Sequence, residues 1–184
     1  MLAAPLLLWA CGALAGADPV HEYLDEETGA TITILTQPLV FAYARKELAA
    51  NARDYVNLEA AAVDRGGKVS YVLIAYFWST VDPRLREEPL PTPDPLLLQA
   101  DDRRIPLSKR GQTPHEAGIG VPLDAPSGAE PNVYPTDLAT LRSVAEARHL
   151  AVTVDTESST LTYELWEDRR NALKAFVQRL SGAY

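Results

Sequence analysis

The feature that most constrains this chain is the segment 68–82, KVSYVLIAYFWSTVD, which is its longest run of β-branched and aromatic residues. With the two-residue period of a β-strand, both faces of the segment are apolar in the middle. One face carries Val69, Tyr71, Leu73, Ala75, Phe77 and Val81, and the other carries Val72, Ile74, Tyr76 and Trp78. Because neither face suits water, we predict a central strand of a sheet with a layer packed on each side.

Other segments alternate in the same way and predict further strands. The segment 55–64 precedes the turn Asp64-Arg65-Gly66-Gly67, so it forms a long β-hairpin with the central strand. The remaining predicted strands are 30–36, 39–44, two short strands within 96–107, 150–156 and 160–166. The acidic residues 18–29 are expected to form an exposed N-terminal arm.

Two segments in the C-terminal half have the 3.6-residue apolar spacing of amphipathic helices. Helix 137–149 is predicted to begin after Thr136 as its N-cap, and helix 167–182 carries Leu173, Phe176, Val177 and Leu180 on one face. The connection 82–95 contains five prolines, which excludes a helix or an interior strand and predicts an extended crossing segment.

These elements predict one domain over residues 18–184. Its fold class is α+β: an antiparallel sheet or open sandwich, rich in β-strands, with the two helices packed on one side. A chain of 184 residues is long enough for one substantial core.

Residues 1–17, MLAAPLLLWACGALAGA, carry no charged side chain and read as a signal peptide. Ala15-Gly16-Ala17 fits cleavage before Asp18. Alternatively, Leu8-Trp9-Ala10-Cys11 resembles a bacterial lipobox, in which case Cys11 would carry lipid. The apolar run is shorter than the roughly 20 residues that a membrane-spanning helix needs. Both processing routes imply an exported protein.

The charge of the chain argues against nucleic acid as a partner. Its net charge is −8, whereas nucleic-acid affinity comes mainly from cations that neutralise phosphates. Cationic pairs such as Arg45-Lys46 are expected to be solvated surface residues. Membrane association is therefore expected only through a lipid on Cys11. Because Cys11 is the single cysteine, the body of the protein has no disulfide.

The segment 108–135 contains four glycines and five prolines, has no periodicity, and predicts a long irregular loop. Loops of this length often carry function. Its most suggestive residues for binding are His115, Glu116, Gly118 and Gly120. The pair Gly118-x-Gly120 lacks the third glycine of a dinucleotide site and the Lys-Ser/Thr of a phosphate loop.

Aromatic residues near strand ends are the other binding candidates. Trp78, Tyr134 and Trp166 could form a platform on which a ligand stacks, although core packing also accounts for such residues. No catalytic residue, metal site or cofactor is predicted. No G-x-S-x-G motif occurs, and the three histidines are scattered.

The N-terminal signal, EYLDEETGATITI, the hairpin into SYVLIAYFWS and the terminal TYELWEDRRNALKAF resemble small, uncharacterised secreted or lipid-anchored envelope proteins of Gram-negative bacteria. The resemblance implies a location in the periplasm or at the outer membrane and implies no activity.

We therefore expect an exported, non-enzymatic module that binds an envelope protein or a small ligand. An oligomer that buries the second face of 68–82 is a further possibility. The alternative function is a small envelope hydrolase that uses His115 and Glu116.

Overall fold

A computed structural model describes residues 18–86, 89–110, 113–120, 125–156 and 159–182. The signal segment and Cys11 lie outside these ranges. The strands in the described residues are β1 (Val20–Asp25), β2 (Ala30–Leu35), β3 (Leu39–Ala44), β4 (Arg53–Arg65), β5 (Lys68–Ser79), β6 (Leu96–Ala100), β7 (Arg103–Leu107), β8 (Pro131–Thr136), β9 (Leu150–Asp155) and β10 (Thr160–Glu167). The helices are α1 (Pro114–Ala117), α2 (Leu138–Glu146) and α3 (Arg170–Gly182).

The long hairpin of β4 and β5 is the centre of a single antiparallel sheet. Its pairing runs without a break from Arg65 opposite Lys68 to Asp54 opposite Ser79. The other edge of β4 carries two strands end to end: β3 pairs with its first half and β2 with its second half. From β3 the sheet continues through β10, β9, β6 and β7, while β2 leads to β1 and β5 leads to β8.

The sheet curls around its inner face. Side chains from β3 to β10 meet in one apolar cluster, which we call the inner core. Phe77 on β5 and Tyr163 on β10 belong to strands that are not neighbours, yet their ring centroids are 6.0 Å apart. The end strands β7 and β8 also contact each other. The curled sheet therefore encloses the inner core on most sides.

Helices α2 and α3 close one end of this curled sheet. They pack against each other, and α3 contacts β1 and β2. Their apolar residues join the inner core, among them Leu141, Val144, Leu173 and Phe176. The structure thus confirms the predicted α+β class, with an open antiparallel sheet and two helices of the C-terminal half packed on it.

The outer face of the hairpin is buried by a different layer. Val72, Ile74 and Tyr76 of β5 form an outer core together with Ala117 and Ile119, which come from the segment 113–120. Both faces of β5 are buried, as its sequence predicted. The layer on the outer face comes from a segment that the sequence analysis expected to be an irregular loop.

Three local predictions need correction. The acidic segment 18–29 is more than an exposed arm, because residues 20–25 form β1 and pair with β2. The segment 108–135 contains the helical turn α1 and most of β8. The N-cap of α2 is Asp137, whose carboxylate accepts a hydrogen bond from the Thr140 amide at 2.6 Å, whereas Thr136 ends β8.

The segment 113–120 should behave as a structural layer when its apolar contact is removed. Ile119 is 1 % exposed, so Ile119→Ala should lower the free energy of unfolding by about 2–4 kcal/mol, the usual range for such a truncation in a core. Urea unfolding measures this change. The control Leu24→Ala, at a side chain that is 64 % exposed, should cost less than about 0.5 kcal/mol. Equal small effects would mean that this layer contributes little to stability.

Candidate functional site

The two polar candidates of the 113–120 segment make local contacts on the surface. The Glu116 carboxylate accepts hydrogen bonds from the amide and the hydroxyl of Thr113, at 2.7 and 2.9 Å, which completes a capping box for α1. These bonds hold the pKa of Glu116 below its ordinary value. His115 Nε2 lies 3.4 Å from Glu27 Oε1, and both side chains are exposed. Glu116 therefore has a structural role that accounts for its position.

The glycines of the same segment allow it to approach β4 and the β1–β2 turn closely. Gly118 has φ +96°, and a Cβ there would lie 2.9 Å from Val63 Cγ1. The Gly120 amide donates to Asp25 Oδ2 at 2.5 Å, and the Thr28 hydroxyl donates to the Gly118 carbonyl at 3.0 Å. These contacts fasten the outer layer onto the sheet.

The aromatic candidates lie elsewhere. Trp78 stacks on Tyr55 with ring centroids 4.3 Å apart and donates from Nε1 to Asn57 Oδ1 at 2.9 Å. Tyr55 in turn meets the edge of Trp166, which is 54 % exposed. Tyr134 is fully buried in the inner core. The six predicted binding residues therefore do not form one site, and their role in binding stays a prediction.

A concave site lies at the end of the curled sheet opposite the helices. It is a cleft of about 500 Å³, lined by Arg45, Asp54, Arg86, residues 89–94, residues 154–156 and Leu161. We call it the mouth cleft. Arg45 directly follows β3, Asp54 is the second residue of β4, and residues 154–156 lie at the C-terminal end of β9. Antiparallel pairing brings these strand ends together. Its apolar floor continues into the inner core through Val154, Leu161 and Leu90.

Residues 89–94, which we call the strap, form one wall of the mouth cleft. They belong to the proline-rich connection that the sequence predicted to be extended and crossing. The Tyr134 hydroxyl donates to the Pro93 carbonyl at 2.7 Å. Lys109 donates from Nζ to the Thr92 carbonyl at 3.0 Å and from its amide to Asp94 Oδ1 at 3.1 Å. The strap is thus fixed to β8 and to the residues that follow β7.

The carboxylates that line the mouth cleft in the described part of the chain, Asp54, Asp94 and Asp155, all have donors within the protein. Asp54 is 4 % exposed, accepts a hydrogen bond from Ser79 Oγ at 2.5 Å, and lies 3.4 Å from Arg45 Nη1. The more exposed Asp94 and Asp155 accept hydrogen bonds from Lys109 and Thr160. These three carboxylates therefore each have a donor, whereas three buried donors of the described residues in or beside the cleft lack an acceptor in hydrogen-bond geometry.

Among the described residues in or beside the cleft, these donors are Arg45 Nε, Arg86 Nε and the Tyr163 hydroxyl. Arg45 Nε lies 2.9 Å from Glu47 Oε1 outside hydrogen-bond geometry, so its charge is paired although the donor itself is not satisfied. Arg86 lines the mouth cleft directly. Tyr163 lies in the inner core beside it: burial raises the pKa of the hydroxyl, and the nearby negative charge of Asp54 adds to the increase. A buried donor without an acceptor costs free energy. Because Arg86 lines the cleft and Tyr163 does not, Arg86 is the donor to which a ligand in the cleft would supply an acceptor.

Sequence reasoning did not find the mouth cleft. It expected Arg45 to be a solvated surface residue, and it gave no role to Asp54 or Arg86. Arg45 is largely buried, with 21 % of its side chain exposed, because Asp54 on the neighbouring strand pairs with it. The proline-rich segment was the one sequence feature that could have indicated the cleft, since an extended crossing segment lies against an end or an edge of a sheet.

Within the described ranges, no group of three or more His, Cys, Asp or Glu side chains is arranged to hold a metal ion. In the same ranges, no helix is both long enough and apolar enough to cross a membrane. No protein-family model, no curated protein and no solved structure matches this chain. Arguments about function therefore depend on the geometry of its own residues.

The contact between Asp25 and Gly120 predicts a pH dependence of stability. The hydrogen bond from the Gly120 amide is the main cause that holds the pKa of Asp25 below its ordinary value, although burial opposes it. Because the pKa of Asp25 is lower in the folded state, the ionised form of Asp25 stabilises the fold. This stabilisation is complete above the unfolded-state pKa of about 3.9 and is lost as the pH falls through the folded-state pKa.

We expect Asp25→Asn to lower the urea midpoint at about pH 7 and to have a smaller effect at about pH 3, because that pH lies below the unfolded-state pKa of about 3.9, where the stabilisation decreases. The exposed Asp102→Asn serves as the control and should leave the midpoint nearly unchanged at about pH 7. A difference between Asp25→Asn and wild type that is the same at both pH values would contradict the assignment.

Proposed function

We propose that this chain is a non-enzymatic binding protein and that a small organic ligand occupies its mouth cleft. The observation that carries this proposal is the cleft itself, where an apolar floor meets buried polar groups at the open end of a rigid curled sheet. A volume of about 500 Å³ lies in the range typical of small-molecule sites. The strap completes the site as one fixed wall.

The arrangement of charge favours binding over catalysis. Asp54, the buried acid among the described residues of the cleft, is engaged by Ser79 and Arg45, so it is not free to act as a general base. The alternative of a hydrolase using His115 and Glu116 stays a prediction. In its present contacts the Glu116 carboxylate caps α1, and neither residue lines the mouth cleft.

We also propose that the protein is exported and works in the periplasm or at the outer membrane. The support is the uncharged apolar segment 1–17, which ends in small residues before an acidic sequence. A soluble amphipathic ligand is compatible with that location, and so is a partner protein of the envelope.

The ligand proposal predicts that filling the cleft weakens binding. Anilinonaphthalene sulfonate, a fluorescent organic anion with an apolar body, should bind the wild type with a saturable increase in fluorescence. Leu161→Trp places a larger ring at the floor of the cleft and should weaken this binding at least tenfold. Fluorescence titration measures the change, and circular dichroism verifies that the variant is folded.

The matched control is Leu24→Trp, because Leu24 lies on β1 and is 64 % exposed. It should leave the titration unchanged. Equal binding by the wild type and by a folded Leu161→Trp would place the probe elsewhere and would refute the mouth cleft as the binding site.

Export predicts a defined mature N-terminus. When the gene is expressed with its signal in a Gram-negative host, intact-protein mass spectrometry should find a chain that begins at Asp18 or a lipidated chain that begins at Cys11. The variant Cys11→Ala separates the two routes, since it removes lipidation and leaves cleavage after Ala17 possible. An unprocessed chain that begins at Met1 and stays in the cytoplasm would contradict export.

A further inference from the structure

We propose that the mouth cleft selects an organic monocarboxylate with an apolar body, and that Arg86 is the residue that binds the carboxylate. This inference rests on the proposed function and adds the chemical class of the ligand. It follows from three observations: which donors in the cleft lack acceptors, what kind of surface surrounds them, and where the remaining charges lie.

The first observation concerns Arg86. Its backbone is held by a hydrogen bond from its amide to the Pro83 carbonyl, at the end of the helical turn Pro83–Leu85. Its side chain lines the cleft, and its Nε is buried without an acceptor in the described residues. A guanidinium presents parallel N–H donors whose geometry matches the two oxygens of a carboxylate. A bound carboxylate would therefore satisfy the buried donor and neutralise the cation.

Arg45, the other guanidinium of the cleft, is not equivalent. Its Nη1 lies 3.4 Å from Asp54 Oδ2, and its Nε lies 2.9 Å from Glu47 Oε1 as an ion pair outside hydrogen-bond geometry. Because Arg45 is already paired with two acids, it has less capacity for a ligand than Arg86. The two cations thus have different roles: Arg45 compensates the buried Asp54, and Arg86 is left for recognition.

The second observation is the apolar surface beside Arg86. Leu90 and Leu161 are partly buried against the inner core, and Val154 is fully buried. This surface would bury the hydrocarbon body of a ligand, which stabilises binding by roughly 25 cal/mol for each Å² of apolar area removed from water. An inorganic anion or a short polar anion would leave it unused.

The third observation limits the charge of the ligand. The exposed Asp94 and Asp155 also line the cleft, so a second negative charge would meet carboxylates at the rim. Solvent screening reduces the repulsion between these exposed aspartates and a single ligand carboxylate bound at Arg86. A dianionic ligand, in contrast, has to place its additional negative charge near the two aspartates. The cleft therefore favours a carboxylate over a phosphate monoester.

Four amphiphiles with the same eight-carbon chain test this inference: octanoate, octanol, octylamine and octyl phosphate. Isothermal titration calorimetry at neutral pH, below the aggregation limit of each compound, gives the affinities. We expect octanoate to bind the wild type at least tenfold more tightly than each of the other three.

The variant Arg86→Gln should remove the advantage of octanoate over octanol, and Arg86→Lys should retain part of it because the charge is kept. The control Arg84→Gln changes an exposed arginine of the same turn that does not line the cleft, and it should bind octanoate like the wild type. Unfolding midpoints without added compound verify that each variant is folded.

The outcomes distinguish this inference from the proposed function. If octanol, octylamine or octyl phosphate equals or exceeds octanoate, or if Arg86→Gln binds octanoate normally, the carboxylate assignment is wrong. If the compounds that bind the wild type fail to bind Leu161→Trp in that case, the mouth cleft remains the ligand site even though the carboxylate assignment is wrong. If none of the four compounds binds the wild type, the carboxylate assignment fails, and an absence of anilinonaphthalene sulfonate binding in addition refutes the proposed function.

Discussion

The fold depends on burying both faces of the β4–β5 hairpin at once. Its inner face carries Leu73 and Phe77 into the inner core, and its outer face carries Val72 and Ile74 into the outer core. Uninterrupted pairing from one end of the hairpin to the other satisfies the backbone groups that this burial removes from water. The helices, the outer layer and the curl of the sheet all provide contacts for these two faces.

Local sequence patterns predicted most of the fold. The alternation in 68–79 and the turn at Gly66-Gly67 identified the central hairpin, because hydrophobic period and turn chemistry agree there. The apolar stripe of Leu173, Phe176, Val177 and Leu180 likewise identified α3. Local patterns could not give the pairing of β2 and β3 with opposite halves of β4, nor the pairing of β3 with β10. Both join strands that no local pattern relates, and β3 and β10 lie far apart in the sequence.

The candidate site was harder to predict for the same reason. Arg45, Asp54 and Arg86 come from different parts of the chain, and each has an ordinary polar context in the sequence. Only the assembled strand ends bring Arg45 next to Asp54 and leave Arg86 over an apolar floor. The loop residues His115 and Glu116 drew attention because of their residue types, yet Glu116 is explained by helix capping.

Strand β8 links the two cores through neighbouring residues. Val133 points into the outer core, whereas Tyr134 points into the inner core and holds the strap through Pro93. Strands that carry inner-core residues on one face carry outer-core residues on the other face. Unfolding of either core would therefore expose the opposite face of the strands that support the other core. We therefore expect the two cores to unfold as one cooperative unit, without a separate melting transition for either layer.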